Sequence, residues 1–332
     1  MDGVEKPGPV RVASTAPVVA VVIPSFRAVA SIVDVIQRVG DEATHIIVVD
    51  DACPEESGRT VQREINDPRV DVIFNVKNLG VGGAMVAGYR RALELGADIC
   101  VKLDADGQMD PALIPALVAP ILAGNADYAK GNRFFHIRDV MDMPRVRLLG
   151  NAGLSFLNKL SSGYWNVFDP TNGFTAVHAV CLKNIELDKL DPGFFFESDL
   201  LFRLHLIDAV VVDVPMRAVY ADETSNLSPL REAPRFFVRH ARNFFKRIFY
   251  EYFLRDFNLA SLQLLGGTGL ILFGLLYGGS VWVANYSRGV ESPAGTVGVV
   301  SIAMVVGFVL LQGFFAFDYA RIPRWTAQHR LQ

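Results

Sequence analysis

Short apolar runs alternate with amphipathic stretches from Val18 to Val214. Such alternation is typical of a mostly parallel sheet wrapped by helices. The predicted strands are Val18–Ile23, His45–Val49, Val70–Phe74, Asp98–Leu103, Asp127–Lys130, Phe174–His178 and Val210–Val214. The predicted helices are Val29–Val39, Glu56–Ile65, Gly83–Leu95, Asp110–Leu122, Gly150–Leu160 and Phe195–Leu206, with a polar stretch over Arg133–Arg147. In such folds ligands bind at the carboxyl ends of the strands, so residues just after each strand are the first candidates for chemistry.

The C-terminal third has a different pattern. Leu259–Ala284 and Thr296–Phe317 contain no charged residue, and each run is long enough to cross a hydrocarbon core of roughly 30 Å as a helix. The alternative is a pair of buried helices in a soluble core. Charge-free runs of about twenty residues are rare in soluble folds, so we predict two transmembrane helices.

A basic amphipathic segment, Pro234–Phe257, precedes these runs. One helical face carries Phe237, Ala241, Phe244, Phe245, Ile248, Tyr252 and Phe253, and another carries Arg235, Arg239, Arg242 and Lys246. This pattern favours a helix lying in an anionic membrane interface. The alternative is a helix that docks on the globular domain.

Charge distribution predicts the orientation in the membrane. Seven basic residues lie between Arg231 and Arg255 against Glu232 and Glu251, whereas the 285–295 loop holds only Arg288 and Glu291. By the positive-inside rule, the large N-terminal region and the tail, with Arg321, Arg324 and Arg330, lie in the cytosol. Trp325 is expected to be an interfacial anchor. We expect a multi-pass protein of the inner (cytoplasmic) membrane with both termini cytosolic.

The expected organisation has five parts. Residues 1–17 form a disordered lead without a secretory signal, 18–230 the α/β domain, 231–257 the juxtamembrane helix, 258–320 the hairpin and 321–332 the tail. The three cysteines, Cys53, Cys100 and Cys181, lack metal-type spacing and are expected to be reduced and structural. No nucleic-acid partner is expected.

The strongest chemical signal is Lys102-Leu103-Asp104-Ala105-Asp106-Gly107-Gln108 at the end of the fourth predicted strand. Asp104, Asp106 and Gln108 offer hard oxygen ligands to Mg²⁺ or Mn²⁺. A divalent ion there could bridge a diphosphate and neutralise its charge as it leaves. Taken alone, the two carboxylates could equally form a solvated turn.

Two further strand ends carry groups that could bind a nucleotide. Phe26 follows Pro24 after the first strand, and Asp50 and Asp51 follow the second. The ring of Phe26 could lie against a base, and Asp51 could accept from a base N–H. Acidic strand ends can also be helix caps. The Gly80-Val81-Gly82-Gly83 run is expected to serve close helix packing, because Met85 does not fit a dinucleotide loop.

These residues resemble the inverting glycosyltransferases of family 2, which have the GT-A fold. The resemblance covers Val18–Val219, through Val22-Ile23-Pro24, Val49-Asp50-Asp51, Asn78-Leu79-Gly80, Ala84, Gly88 and Asp104-Ala105-Asp106. With Gly131-Asn132-Arg133 and the two apolar helices, it is similar to the polyprenyl-phosphate hexose synthases of that family. The resemblance implies a GT-A (Rossmann-like, mostly parallel sheet) domain and a nucleotide diphosphate sugar, UDP- or GDP-linked. It implies nucleotide contacts from Pro24, Phe26, Asp51, Asp104, Ala105 and Asp106, and metal contacts from Asp104, Asp106 and Gln108.

A lipid phosphate acceptor is already anionic, so it needs cations to hold it beside a second set of phosphates. Arg133, Arg145, Arg147 and Arg217 are the candidates, and each could instead be a surface arginine. Asp169, in a segment that resembles the family's Asp-x-x-x-Gly-Phe, is the candidate catalytic or acceptor-orienting carboxylate, beside Asp106. Glu197 and Asp199 could be the base for a hydroxyl acceptor or the start of a capped helix.

We therefore predict inverting, metal-dependent transfer of a hexose to a polyprenyl (undecaprenyl) phosphate at the cytosolic membrane face. Transfer to a hydroxyl of a lipid-linked sugar is the alternative, and a non-catalytic membrane scaffold is the rival outside enzymes. Single transfer is favoured, because the Gln-x-x-Arg-Trp segment of processive synthases does not occur between Val210 and Leu259. The resemblance also implies association through the membrane helices, and the sequence leaves a homo-oligomer open.

Overall fold

One seven-stranded sheet forms the centre of the N-terminal domain. The computed structural model describes residues 16–135, 145–169, 172–216 and 229–331, with the side chains of 145–149 and 229–232 outside this description. The strand order is β3-β2-β1-β4-β6-β5-β7. The strands are β1 Val19–Ser25, β2 His45–Asp50, β3 Val70–Phe74, β4 Ile99–Lys102, β5 Tyr128–Asn132, β6 Thr175–His178 and β7 Val211–Pro215.

Helices cover both faces of this sheet and continue beyond it. Those of the N-terminal domain are α1 Ile32–Gln37, α2 Ser57–Glu64, α3 Gly80–Glu94, α4 Ile114–Leu122, α5 Arg145–Ser162, α6 Ala179–Asn184 and α7 Phe196–Leu206. The later ones are α8 Pro229–Phe249, α9 Leu259–Phe273, α10 Gly279–Arg288, α11 Ala294–Ala320 and α12 Ala327–Arg330. Within the described ranges, every predicted element is present, with ends shifted by a few residues.

Alternating side chains along β1 and β2 enter two different cores. Val22 and Val49 pack with Met85 and other residues of α3 on one face. Val21 and Ile46, which pair with each other across β1 and β2, belong to the core formed with α1 and α4 on the other face. Because both faces are buried, these strands read as continuous apolar runs, as parallel strands do.

Strand β6 runs against the rest of the sheet. It pairs antiparallel with both β4 and β5, whereas the other four strand pairings are parallel. The predicted mostly parallel sheet is confirmed, and this reversal is a feature that the sequence analysis did not include. Its consequence is that the residues just before β6 lie at the edge where β4 and β5 end.

Helix α8 docks on the globular domain through a polar face. Asn243 Nδ2 donates to Asp199 at 3.0 Å, and His240 Nδ1 lies 2.7 Å from Ser161 Oγ. Arg247, which belongs to neither predicted face, is completely buried. The apolar side chains Phe245 and Phe249 are exposed instead, at 68% and 57%. The docking alternative therefore describes one face of α8, and contact of its other face with a membrane stays a prediction.

Two helical stretches, Leu259–Arg288 and Ala294–Ala320, are long and apolar enough to cross a membrane. The first consists of α9, a π-helical turn at Gly274–Gly278 and α10; the second is α11. Only 22% and 11% of their most apolar windows are buried, so neither is a covered core helix. Gly267 and Gly307 let the two backbones approach closely, since a Cβ on either would meet the other's carbonyl oxygen at 3.0–3.1 Å.

The tail after α11 returns to the N-terminal domain. Asp127, buried beside β5, accepts hydrogen bonds from Ala327 N at 2.7 Å and Gln328 N at 2.8 Å. The Gln328 side chain donates to Ala126 O at 2.7 Å. Both ends of the apolar hairpin are therefore fixed to the same domain.

Candidate active site

Three neighbouring strands bring the candidate residues to one edge of the sheet. Lys102 of β4 pairs with Thr175 of β6, which pairs with Lys130 of β5. Asp104 lies just beyond this row on β4, and Arg133 lies just beyond it on β5. Strand β6 lies between β4 and β5 and begins at Thr175, beside Lys102 and Lys130. Because β6 runs in the opposite direction, the residues that precede it lie between the ends of β4 and β5.

Gly173 packs closely against this edge. A Cβ there would meet Lys102 Nζ and would lie 2.8 Å from Asp104 Oδ2. Only glycine leaves room for both groups. The segment before β6 is thus in direct contact with the acidic motif.

The Asp-Ala-Asp segment forms a turn whose two carboxylates are partly exposed. Asp104 Oδ1 accepts a hydrogen bond from Lys102 Nζ at 2.6 Å, and Asp106 Oδ1 accepts one from Gln108 N at 3.0 Å. Ala105 is buried between them, and its carbonyl accepts from Ser31 Oγ at 2.6 Å. Gly107 has φ +78°, which closes the turn in the left-handed region.

This donor set fits Mg²⁺ or Mn²⁺. Asp104, Asp106 and Gln108 supply carboxylate and amide oxygens, the hard donors that these ions prefer. Among the described residues, no group of three or more His, Cys, Asp or Glu forms a metal cluster. A site of this kind suits an ion that keeps further positions for water and phosphate oxygens.

Lys102 is a buried cation between two acids, and the sequence analysis gave it no role. Its Nζ lies 2.6 Å from Asp104 Oδ1 and 3.4 Å from Glu197 Oε1. Burial acts to lower the pKa of Lys102, but the two carboxylates outweigh it and raise the pKa above its ordinary value. The available signal was a lysine at the end of an apolar strand, two residues before the acidic motif.

Glu197 and Asp199 have different surroundings although both begin α7. Glu197 is 13% exposed at the side chain and reaches the site through Lys102. Asp199 is buried and accepts from Arg203 Nε at 3.0 Å and from Asn243 of α8. Asp199 therefore anchors helices, and only Glu197 lies beside the acidic motif.

A second buried lysine lies one strand further along. Lys130 Nζ donates to the carbonyl of Asn172. Burial lowers the pKa of Lys130 to about 8. This residue was predicted only as part of a strand, and its position in the same row as Lys102 depends on the reversed strand.

Arg133 and Asp169 form a two-pronged ion pair. Arg133 Nε lies 2.8 Å from Asp169 Oδ2, and Nη2 lies 3.0 Å from Oδ1. The Asp169 carboxylate is buried, while 32% of the Arg133 side chain is exposed. The two were predicted in separate roles, and the fold makes them one unit in which Asp169 orients the guanidinium.

Asp51 is used as a helix cap. Its carboxylate accepts from Asn75 Nδ2 at 2.7 Å, from Leu79 N at 2.9 Å and from Gly80 N at 2.8 Å, at the start of α3. The capping alternative therefore describes Asp51 here. Its predicted contact with a base would compete with these bonds, and it stays a prediction.

Two more nucleotide candidates, Pro24 and Phe26, lie at the end of β1 and just after it. Phe26 is 44% exposed, and the guanidinium of Arg27 lies 5.4 Å from its ring centroid. Pro24 is half-buried at the end of the strand. Both remain available for a ligand at this edge.

Three of the four arginines predicted for an acceptor phosphate have no described side chain. Arg145 and Arg147 begin α5, but their side chains lie outside the described residues, as does Arg217 entirely. Of the four arginines, Arg133 has a described side chain.

The glycine-rich start of α3 serves helix packing, as predicted. Gly82 N and Gly83 N donate to the carbonyl of Pro192 at 2.9 Å and 3.2 Å. A Cβ at Gly82 would collide with the backbone of Asp191, and one at Gly88 with Val22 of β1. These glycines hold α3 against β1 and the loop before α7.

Comparison with known proteins decides the family. The model of the family described as Glycosyl transferase family 2 matches residues 20–185. The chain belongs to glycosyl transferase family 2. This family 2 protein is a glycosyltransferase by that membership, which confirms the predicted family and enzyme class.

This family 2 protein is similar in sequence to two transferases named for lipid-phosphate acceptors. It is 31% identical over 205 residues to an undecaprenyl-phosphate mannosyltransferase from Micrococcus luteus, covering 60% of this chain and 83% of that one. It is 33% identical over 154 residues to a UDP-N-acetylglucosamine–dolichyl-phosphate N-acetylglucosaminyltransferase from Methanococcus voltae, covering 46% and 61%.

Solved structures confirm the predicted GT-A fold. Glucosyl-3-phosphoglycerate synthase from Mycobacterium tuberculosis in complex with uridine diphosphate superposes with a TM-score of 0.51 at 20% identity, over 70% of this chain and 80% of that one. A structure of the same enzyme with Mn²⁺, uridine diphosphate and glucosyl-3-phosphoglycerate gives 0.50 at 20% identity, with the same coverage. At this identity the likeness concerns the fold alone.

Proposed function

We propose that this family 2 enzyme transfers a hexose from a nucleotide diphosphate sugar to a polyprenyl phosphate at the cytosolic membrane face. The observation that carries the proposal is the Arg133–Asp169 pair on the same sheet edge as Asp104 and Asp106. This edge combines a guanidinium held by a buried carboxylate with two partly exposed carboxylates suited to a metal. An anionic acceptor and an anionic leaving group need such separate positive centres.

Each side chain at the edge has a defined part in this reaction. Asp104, Asp106 and Gln108 hold the divalent cation, Mg²⁺ or Mn²⁺. When bound, that cation neutralises the charge of the departing nucleotide diphosphate. Lys102 orients the Asp104 carboxylate through its hydrogen bond to Oδ1. Arg133, held by Asp169, binds the acceptor phosphate.

The displacement proceeds in one step with inversion at the anomeric carbon. An oxygen of the lipid phosphate attacks that carbon while the bond to the nucleotide diphosphate breaks, and the charge of the attacking oxygen is quenched in the new glycosyl phosphate. The phosphate is already ionised at neutral pH, so a strong protein base is not required. Phe26 and Pro24 lie where the nucleotide would enter, at the end of β1.

The proposed function includes two helices that span the membrane. The helices Leu259–Arg288 and Ala294–Ala320 have mean hydropathies of 1.8 and 2.4 in their most apolar windows and little burial. The relatives named for lipid-phosphate acceptors support a lipid substrate. Anchoring both ends of the hairpin to the catalytic domain keeps that domain at the membrane face where the acceptor phosphate lies.

Replacing Asp106 with Asn tests the metal assignment. Transfer of label from a sugar nucleotide to polyprenyl phosphate should fall by at least about a hundredfold, because one charged ligand of the cation is lost. Asp110→Asn is the matched control, since Asp110 lies four residues away and caps a turn by accepting from Ala112 N at 3.2 Å. Full activity in Asp106→Asn, or an equal loss in both variants, would remove the assignment.

A second candidate is transfer to a hydroxyl of a lipid-linked sugar. Glu197, beside Lys102 and 13% exposed, favours it, because a hydroxyl must lose a proton to a nearby base. The two candidates differ in the acceptor that accumulates label.

A further inference from the structure

The segment 163–169 joins α5 to the acceptor-binding pair and is fixed on the catalytic domain. Tyr164 Oη donates to Ala209 O at 2.6 Å, and Phe168 N donates to Asp213 Oδ2 at 3.1 Å. Asp169, the last residue of the segment, holds Arg133. A shift of this segment would therefore move the guanidinium that the proposed function assigns to the acceptor phosphate.

One side chain of the segment reaches the membrane hairpin. Trp165 Nε1 donates to Asp318 Oδ2 at 3.0 Å, and the Trp165 ring lies 6.2 Å from that of Tyr319. Asp318 and Tyr319 belong to the end of α11 that faces the catalytic domain. The acceptor segment and the second apolar helix are thus in direct polar contact.

Asp318 is a buried carboxylate with four donors. Oδ1 accepts from Arg247 Nη1 at 2.6 Å and from Tyr252 Oη at 2.8 Å. Oδ2 accepts from Arg247 Nη2 and from Trp165 Nε1, both at 3.0 Å. A buried carboxylate surrounded in this way fixes the groups that surround it, because each unmade bond would leave a desolvated polar atom.

Arg247 connects Asp318 to α5, the helix that leads into this segment. Its Nη2 also donates to Leu160 O at 2.9 Å, close to the end of α5. Asp318 therefore reaches the acceptor segment directly through Trp165 and indirectly through Arg247 and α5.

We propose that Asp318 is a positioning residue, which sets the height of the Arg133–Asp169 pair above the membrane through its bond to Trp165. The inference rests on the proposed function. A polyprenyl phosphate must present its phosphate to Arg133 while its chain stays in the bilayer. The distance from the hairpin to this pair therefore has to be held constant, and the Trp165–Asp318 bond holds it.

Two substitutions that each remove one donor to Asp318 test the proposal. Trp165→Phe deletes the donor that belongs to the acceptor segment, and Tyr252→Phe deletes one at 2.8 Å that does not. Asp318→Asn is less informative, because it removes one of the two carboxylates paired with the buried Arg247, the other being Glu251, and risks misfolding. The full-length protein in lipid nanodiscs is assayed for the KM of polyprenyl phosphate, the Kd of the sugar nucleotide and the Tm.

The expected result is a KM for polyprenyl phosphate raised on the order of tenfold in Trp165→Phe and unchanged in Tyr252→Phe. The Kd of the sugar nucleotide should stay at the wild-type value in both. Equal KM values in the two variants, or a parallel loss of nucleotide binding, would reduce Asp318 to a structural role and overturn the inference alone. Wild-type protein that gives no labelled polyprenyl phosphate would instead overturn the proposed function, and this inference with it.

Discussion

At the residue scale, the site is built from pairs in which a buried partner fixes an exposed one. Lys102, buried at the end of β4, fixes Asp104. Asp169, buried before β6, fixes Arg133. Charge-assisted, two-pronged pairs of this kind give a guanidinium one orientation, so its remaining N–H groups point in a set direction.

Asp169→Asn should therefore impair the acceptor step more than the nucleotide step. We expect kcat/KM for polyprenyl phosphate to fall on the order of a hundredfold, because Arg133 loses its charged partner. The Kd of the sugar nucleotide, measured by thermal protection, should change little. Arg133→Lys keeps the positive charge but cannot form both hydrogen bonds to Asp169. Its kcat/KM for polyprenyl phosphate should lie between those of wild type and Asp169→Asn. A variant that loses nucleotide binding to the same degree would contradict this role.

Lys130 predicts a specific dependence of stability on pH. Its pKa in the folded protein is about 8, and its ordinary value is 10.5. Between these values the unfolded chain binds more protons, so the contribution of Lys130 to stability rises with pH, by about 2 kcal/mol from pH 8 to pH 10. Wild type should gain this amount relative to Lys130→Met in denaturant unfolding across that range. A constant difference between the two proteins would contradict the lowered pKa.

Sequence reasoning named the candidate site residues but did not predict their pairing. Asp104 and Asp106 were visible because two acids follow an apolar strand. Arg133 and Asp169 are 36 residues apart, and neither periodicity nor spacing says that they meet. Lys102 and Lys130 were overlooked because a lysine at a strand end is common, and only the fold shows that these two are buried.

At the element scale, the apolar pattern predicted where each strand lies along the chain but not in which direction it runs in the sheet. A strand that is buried on both faces has the same apolar run whichever way it points, so the reversal of β6 left no signal. For α8, the helix was predicted, but its predicted apolar face is divided, since Tyr252 is buried whereas Phe237 and Phe245 are exposed. His240, Asn243 and Arg247 form a polar buried face, because α5 and α7 offer polar partners.

The contact between α3 and β1 gives a prediction with an internal control. A Cβ at Gly88 would collide with Val22, so Gly88→Ala should destabilise the protein by about 1–3 kcal/mol. Gly153 lies in the interior of α5 with nothing within 4 Å of an added Cβ, so Gly153→Ala should stabilise it by about 0.5–1 kcal/mol. Denaturant unfolding of both variants measures the two signs. A neutral Gly88→Ala would show that α3 is free to shift.

At the scale of the whole molecule, the apolar hairpin and the catalytic domain form one connected body. A π-helical segment, Tyr250–Arg255, connects α8 to the first helix of the hairpin. The C-terminal end of the second helix is held by the bond between Asp318 and Arg247 of α8. The tail then docks through Ala327 and Gln328 on Asp127. The length and composition of both apolar helices were predictable from sequence. The docking of the tail was not, because it depends on backbone N–H groups that every sequence contains.

The most direct test is to follow labelled sugar from a nucleotide diphosphate sugar to competing lipids in nanodiscs. Polyprenyl phosphate, polyprenol and a lipid-linked sugar are supplied together, with Mg²⁺ or Mn²⁺ and with a chelator in parallel. The proposed function predicts label on polyprenyl phosphate alone, falling to background when the chelator removes the cation. Label on the hydroxyl acceptors, or transfer that the chelator leaves undiminished, would contradict it.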